Sequence, residues 1–301
     1  MLYMKAFYCD HFVLPLPPDH RFPMRKYALL RERVIEAGFI APEDLREPPP
    51  ATDAELLRAH AAAYIEKVKH GELTGKEIRR MGFPWSPQLV ERSRRSVGGT
   101  LSACRAALHD GVSANLAGGT HHAAADFGAG FCVFNDVAVA ALAMRAEQRA
   151  ARIVILDCDV HQGDGTAAIL ADVPEIFTFS IHGAHNFPFR KQQSDLDIEL
   201  DNNTADDAYL DALQYGIDTA LALANADLAI YVAGADPYSG DRLGKLAVSK
   251  AGLAARDQYV LAACCTRGIP VAVVMGGGYA RNLDDLVDIH LQTLEIAAGW
   301  L

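Results

Sequence analysis

From residue 153 onward, short runs of β-branched and aliphatic residues alternate with alanine-rich stretches of helical period. The runs predict strands at 153–156, 176–181, 228–232 and 271–275, and the alanine-rich stretches before, between and after them predict helices over 135–149, 205–224, 250–266 and 283–298. These strands are apolar at nearly every position rather than at every second one. A strand of that kind is buried on both faces, which calls for a mostly parallel sheet flanked by helices on both sides, a three-layer α/β/α arrangement. Ahead of that core, 3–8 reads as a short strand opening into a loop rich in proline and histidine, and 26–37 as a helix closed by Gly38. A second helical pattern, DAELLRAHAAAYIEKV, starts at Asp53 directly after Pro48-Pro49-Pro50. A long helix is expected over 87–109, where the Gly98-Gly99 pair leaves room for a break, each glycine costing about 1 kcal/mol relative to alanine. Three prolines between helices make a stiff connection, and no repeat divides the chain, so residues 1–301 are expected to form one domain.

Composition narrows the class. The chain is 50% hydrophobic and 22% charged, as folded proteins are, with 28 Lys and Arg against 38 Asp and Glu for a net charge of −10. Such an acidic chain is a poor match for nucleic-acid backbones, and it should attract cationic partners such as lysine side chains or polyamines. Six cysteines form no C-x-x-C pair, which suits reduced thiols and a cytoplasmic protein. The start MLYMKAFYCDHF lacks the basic and apolar regions of a secretory signal, and no uninterrupted apolar stretch of about 18 residues predicts a membrane span. The pattern carries no signature of a particular oligomeric state.

The polar residues that matter stand just after the predicted strands. Strand 153–156 runs into Asp157-Cys158-Asp159-Val160-His161, 176–181 into His182, 228–232 into Ala233-Gly234-Ala235-Asp236, and 271–275 into Gly276-Gly277-Gly278-Tyr279. In open parallel sheets, ligands sit beyond the carboxyl ends of the strands, so acids, imidazoles and a phenol converge where an active site belongs. Buried carboxylates are costly unless paired or bound to metal. The two acids of D-x-D-x-H could be satisfied by helix N-termini, with His161 bonded to one of them. A third acid, Asp236, makes repulsion worse without a cation. Asp159, His161 and Asp236 are the right ligand types for a catalytic zinc with a position left for water, and this oxygen-rich set would also accept Fe(II). In GGTHHA (118–123), His121 and His122 read either as ordinary polar residues of a turn or as two imidazoles beside the metal, with Asp157 and Asp164 available to fix their tautomers. The triple glycine is neither a P-loop nor a dinucleotide fingerprint. Tyr279 reads as part of a flexible turn or, beside a metal, as a donor to a developing oxyanion.

Taken together, GGTHHA (118–123), GFCVFND (130–136), DCDVHQGDG (157–165), AGADPYSGD (233–241) and GGGY (276–279) resemble the metal-dependent histone deacetylases and their bacterial relatives of the arginase/deacetylase fold, which include acetylpolyamine amidohydrolases and acetoin-utilisation proteins. The blocks follow the family's order over essentially the whole chain, and 180–200 looks most like the class IV branch. The resemblance implies that Asp159, His161 and Asp236 ligate the metal. It implies that His121 and His122 are the acid/base pair, oriented by Asp157 and Asp164, and that Tyr279 polarises the acyl carbonyl. Gly130, Phe131 and Gly277 would bind substrate, with Phe187 or Phe189 as the second tunnel wall. A structural K⁺ would use the Asp157 carboxylate, the carbonyls of Asp159 and His161, and Ser180 with Ile181, and Arg25 would match an internal-channel arginine. Two departures stand out: Thr120 replaces an aromatic residue common before the histidine pair, and the loop after His182 lacks the usual proline-glycine-threonine-glycine turn. The expected activity is hydrolysis of an N-acyl amide, either Nε-acyl-lysine in a peptide or protein or a small acylated amine such as an acetylpolyamine. A silent acyl-lysine-binding scaffold is the rival from another class. An arginase-like two-metal site is disfavoured because Gly163 and a single late acid stand where extra carboxylates would be needed.

Overall fold

In the computed structural model, which describes residues 4–17 and 19–300, eight strands join in one sheet of order β2-β1-β3-β8-β7-β4-β5-β6, every pairing parallel. The strands are β1 (Lys5–Phe7), β2 (Leu45–Arg46), β3 (Val112–Asn115), β4 (Ile153–Asp157), β5 (Ile176–Gly183), β6 (Leu196–Leu200), β7 (Leu228–Val232) and β8 (Val271–Val274). Tyr3, where the first strand was expected to begin, and Leu301, the end of the expected 1–301 domain, lie outside the described residues.

Ten helices cover this sheet among the described residues. They are α1 (Lys26–Ala37), α2 (Asp53–Leu56), α3 (Ala62–His70), α4 (Gly75–Met81), α5 (Pro87–Asp110), α6 (Asp136–Ala146), α7 (Asp164–Leu170), α8 (Asp206–Ala224), α9 (Lys250–Cys265) and α10 (Leu283–Ala298). Alternate strand residues divide the core in two, as the period of a strand requires. Val154 and Leu156 of β4, Tyr231 of β7 and Val273 of β8 pack with Leu30 of α1, Ile217 of α8, Val260 of α9 and Leu286 of α10. Ile153, Ile155, Ile230 and Val274 pack on the opposite side with Val68 of α3, Leu101 of α5 and Val137 of α6. The expected three layers are therefore present. No helix among the described residues is long and apolar enough to cross a membrane.

The helix boundaries at 26–37 and 283–298 coincide with expectation, and those at 87–109, 205–224 and 250–266 fall within one residue of it. Gly38 ends α1 in the left-handed region at φ 69°, donating its N–H to the Val34 carbonyl. Three expectations are corrected. The helix expected over 135–149 is α6: Asn135 caps it by accepting from the Ala138 N–H, and Gln148 at φ 57° turns the chain out of the helix. The pattern starting at Asp53 is two helices, because His60 and Ala61 turn inward to bond the backbone of Ala124 and Ala125. Gly98-Gly99 causes no break in α5. A Cβ on Gly98 would lie 1.8 Å from the Pro49 carbonyl oxygen, and one on Gly99 would lie 2.7 Å from the Asn115 amide, so the glycines let neighbouring segments approach a continuous helix.

Register then places the site. Asp157, Val232 and Val274 lie in one row across β4, β7 and β8, and Asp157 also faces Ser180 of β5. The polar segments that follow these strands consequently emerge side by side at one edge of the sheet.

Candidate active site

Asp159 and His161 lie in the bend after β4, and Asp236 in the turn after β7. All three are buried, and one ligand atom from each lies within 4.8 Å of the others. His161 Nδ1 is 2.9 Å from Asp159 Oδ1 and 3.1 Å from Asp236 Oδ2. The remaining carboxylate oxygens are held by backbone: Gly277 N–H donates to Asp159 Oδ2 at 2.7 Å, and Val160 N–H to Asp236 Oδ1 at 2.9 Å. Asp236 Oδ2 is buried and accepts no hydrogen bond. A Cβ on Gly277 would stand 2.1 Å from that same oxygen, so only glycine lets the backbone come this close to the acids.

Electrostatics describe a site short of positive charge. Burial, then the neighbouring Asp159, pushes Asp236 up to about 6. Burial pulls His161 down, but Asp236 and Asp159 outweigh it and raise the imidazole to about 10. Burial likewise works against ionised Asp159, yet His121 and His161 hold it well below the ordinary carboxylate range. Two buried acids, one imidazole and an orphaned oxygen are a donor set that a divalent cation would complete.

His121 and His122 stand beside this cluster, their ring centroids 4.2 Å apart. His121 Nδ1 is 2.6 Å from Asp157 Oδ2, and His122 Nδ1 is 2.7 Å from Asp164 Oδ1, so each Nδ1 donates to its acid and each Nε2 is left over. The two environments differ. Burial and then the charge of His121 pull His122 down to about 4, whereas Asp157 and Asp159 overcome burial at His121 and raise it to about 9. A pair of imidazoles whose affinities for protons are driven apart suits acid/base chemistry.

Tyr279 is buried beside them, and burial raises its phenol far above the usual range, keeping it a donor. Its backbone is clamped, with its N–H 2.6 Å from Asp241 Oδ2 and its carbonyl accepting from Arg242 Nε at 3.0 Å. His122, His161 and Tyr279 line a cavity of about 420 Å³ whose walls include Gly130, Phe131 and Phe187. Phe131, at φ 64°, is tied to α4 by its N–H on the Met81 carbonyl at 2.8 Å. Phe187 presents its ring edge-on to His122 at 4.9 Å, whereas Phe189 packs on Phe187 and is 85% exposed. Of the two phenylalanines left open by the sequence, Phe187 is the one beside the imidazole. Gly277, Tyr279 and Thr120 border a smaller inner cavity of about 50 Å³. Thr120 Oγ1 bonds the Phe134 carbonyl at 2.6 Å and Asp136 at 2.5 Å.

Ser180 and Ile181 lie on β5 next to Asp157. Arg25 is exposed at the start of α1 and lines a different cavity, with Asp10 and His20, that includes none of the acids, imidazoles or phenol above. Arg92, in contrast, is buried, lines a small cavity with Gly118, Thr120 and Phe131, and donates to the Cys9 carbonyl at 2.8 Å. Three supporting residues were not singled out from sequence. Asp136 accepts from Gly119 N, Thr120 N and Thr100 Oγ1, fixing the turn before the histidine pair. Asp241 fixes Tyr279. Arg256 donates to the Gly234 carbonyl at 2.5 Å. Asp136 and Asp241 both stand inside the quoted blocks, so their position there was the available signal.

The family model for the histone deacetylase domain matches residues 20–294. An uncharacterized protein of Picosynechococcus sp. is 46% identical over 283 residues, covering 94% of each chain. Histone deacetylase 2 of Arabidopsis thaliana is 29% identical over 284 residues, 91% of this chain and 73% of its own length. Among solved structures, an HDAC homolog complexed with SAHA superposes with a TM-score of 0.85 at 24% identity, covering 98% of this chain and 84% of that one.

Proposed function

Because the chain belongs to the histone deacetylase domain family, we propose that it hydrolyses N-acyl amides of primary amines, removing an acetyl group from Nε-acyl-lysine or a small acylated amine. The observation that carries this reading is the pair of carboxylate-anchored imidazoles set against a buried Asp-His-Asp cluster at the floor of a cavity walled by phenylalanines. The structural neighbour complexed with SAHA, an acyl-lysine-like inhibitor, supports an acylated amine as the occupant.

Asp159, His161 and Asp236 would hold a divalent ion, Zn²⁺ first and Fe²⁺ as an alternative. When bound, that ion polarises the acyl carbonyl and lowers the pKa of water. The chain's own groups do the rest. Phe131 and Phe187 flank the aliphatic stem and exclude water from it. His122 takes the proton of the attacking water at Nε2, with Asp164 holding its Nδ1–H, and a histidine of the pair returns a proton to the leaving amine. Tyr279 donates its phenol hydrogen to the tetrahedral oxyanion. A structural K⁺ is proposed at Asp157, Asp159, His161, Ser180 and Ile181. All six cysteines are unpaired and five are buried, in keeping with a reducing, cytoplasmic setting.

The test is hydrolysis of a fluorogenic acetyl-lysine peptide by zinc-loaded protein. Asp236→Ala is expected to abolish turnover, and Tyr279→Phe to lower kcat about 10²–10³-fold, the scale of losing one oxyanion donor. Turnover unchanged in either variant would overturn the assigned role. Tight binding of the peptide without any turnover would favour the silent scaffold.

A further inference from the structure

We propose that the mouth of this cavity selects acylated amines that carry negative charge beyond the acylated nitrogen. The source would be an acyl-lysine flanked by acids in a peptide or a small acylamino carboxylate, and the proposal rests on the hydrolase reading above. The walls of the 420 Å³ cavity include Arg21, Arg79, Arg80, Lys245 and His185, and no aspartate or glutamate lines it. Arg21, Arg79, Arg80 and Lys245 are all exposed. None of the four forms an ion pair among the described residues, although cations elsewhere on the surface, such as Lys67, Arg105, Lys250 and Arg267, do. Lys245 Nζ donates to the His185 carbonyl at 2.7 Å, and the Arg80 guanidinium lies over the Phe127 ring at 4.3 Å, so their charges stay uncompensated. Lys191, in the loop that carries Phe187, spends its Nζ on the carbonyls of Asn186 and Pro188, each at 2.7 Å. Asp164, which faces His122, is bonded to that imidazole.

Part of this has a plain structural reason. Arg79 and Arg80 occupy the last turn of α4, where cations are favoured by the helix dipole. That reason does not extend to Arg21, from the loop before α1, or to Lys245, from the segment before α9. Three separate parts of the chain bring unpaired cations to one opening in a protein whose net charge is −10. Like charges gathered this way repel one another and attract an anion. The second protonated nitrogen of an acetylpolyamine would be pressed against them, whereas a carboxylate there would be drawn in.

A stem-matched substrate series isolates the effect: 6-acetamidohexanoate, its neutral carboxamide, and N-acetylcadaverine, alongside acetyl-lysine peptides flanked by Glu, Gln or Lys. Values of kcat/KM for the zinc-loaded enzyme are expected to fall from anion to neutral to cation by roughly tenfold overall, mainly through KM, given several exposed charges of modest individual effect. The preference should shrink as salt rises from about 20 mM to about 0.5 M, where screening is strong. It should shrink in the double variant Arg79→Gln/Arg80→Gln, which leaves Arg21 and Lys245 in place. A preference in the peptides alone assigns an acidic protein substrate, and one in the small amides alone assigns a small acylamino acid; either supports the proposal. Equal or better use of the cationic members, or a ranking indifferent to salt and to the double variant, overturns it. Absence of turnover with every substrate would instead sink the hydrolase reading. Calorimetric affinities for the Glu- and Lys-flanked peptides then decide the mouth alone, and equal values would overturn the charge selection.

Discussion

The guanidinium of Arg256 joins the two loops that carry the candidate metal ligands. It is fully buried, donates to the carbonyls of Gly234 at 2.5 Å and Cys158 at 3.4 Å, and pairs with Asp257 at 2.8 Å. Asp257 also accepts from Tyr231 at 2.5 Å and Thr293 at 2.6 Å. Arg256→Met would leave a buried carboxylate without its counter-charge and two carbonyls without a donor. The expected loss is about 3–5 kcal/mol of stability, read by urea unfolding; a loss within about 0.5 kcal/mol, as at ordinary surface sites, would contradict that role. Nothing in the sequence flagged Arg256, since an Arg-Asp dipeptide within a helical pattern ordinarily faces water. The acids and histidines, in contrast, were legible because strand ends and short glycine-rich blocks marked them residue by residue. The choice between Phe187 and Phe189 was not legible, because it depends on which ring the loop turns toward His122.

At the scale of elements, the apolar runs located the central strands well, since burial on both faces leaves an unmistakable pattern. β3 and β6 went unseen: VSAN has too little apolar character, and LDIEL alternates as an edge strand with one solvated face. The joint between α2 and α3 was hidden for a different reason. His60 there makes long-range bonds, with Nδ1–H donating to the Ala124 carbonyl at 3.0 Å and Nε2 accepting from the Asn135 N–H at 2.9 Å. The second bond needs the neutral ring, since a protonated Nε2 cannot accept. Burial lowers its pKa from 6.5 to about 4, against the smaller opposing effect of the Ala124 and Ala125 carbonyls. The unfolded chain therefore binds this proton first as pH falls. The contribution of His60 is complete above about pH 6.5 and is lost between there and about pH 4, on the order of 3 kcal/mol in all. Urea midpoints across that range should fall more steeply for the natural protein than for His60→Asn, and identical slopes would contradict the assignment. Gly98→Ala tests the uninterrupted course of α5. Helix propensity alone predicts a gain of about 1 kcal/mol. The 1.8 Å approach to the Pro49 carbonyl predicts instead a loss of about 3 kcal/mol or more by thermal or urea unfolding.

For the whole molecule, net charge and the lining of the cavity differ in sign. The −10 of the chain suggests attraction for cations, yet the opening of the cavity is lined by cations and lacks acids. Sequence could not show this, because Arg21, the Arg79-Arg80 pair and Lys245 are far apart along the chain and meet only through the fold. The same fold brings the ends of β4, β7 and β8 into one row, so that three segments deliver two carboxylates, an imidazole and the close backbone of Gly277 to a single point. The central claim is that this point takes one divalent ion, on which deacylation depends. Titrating zinc into metal-free protein while following acetyl-lysine peptide hydrolysis tests it most directly. The rate should climb in proportion to bound zinc and level off at one ion per chain, whereas activity that ignores zinc, or that needs two ions per chain, would contradict the account.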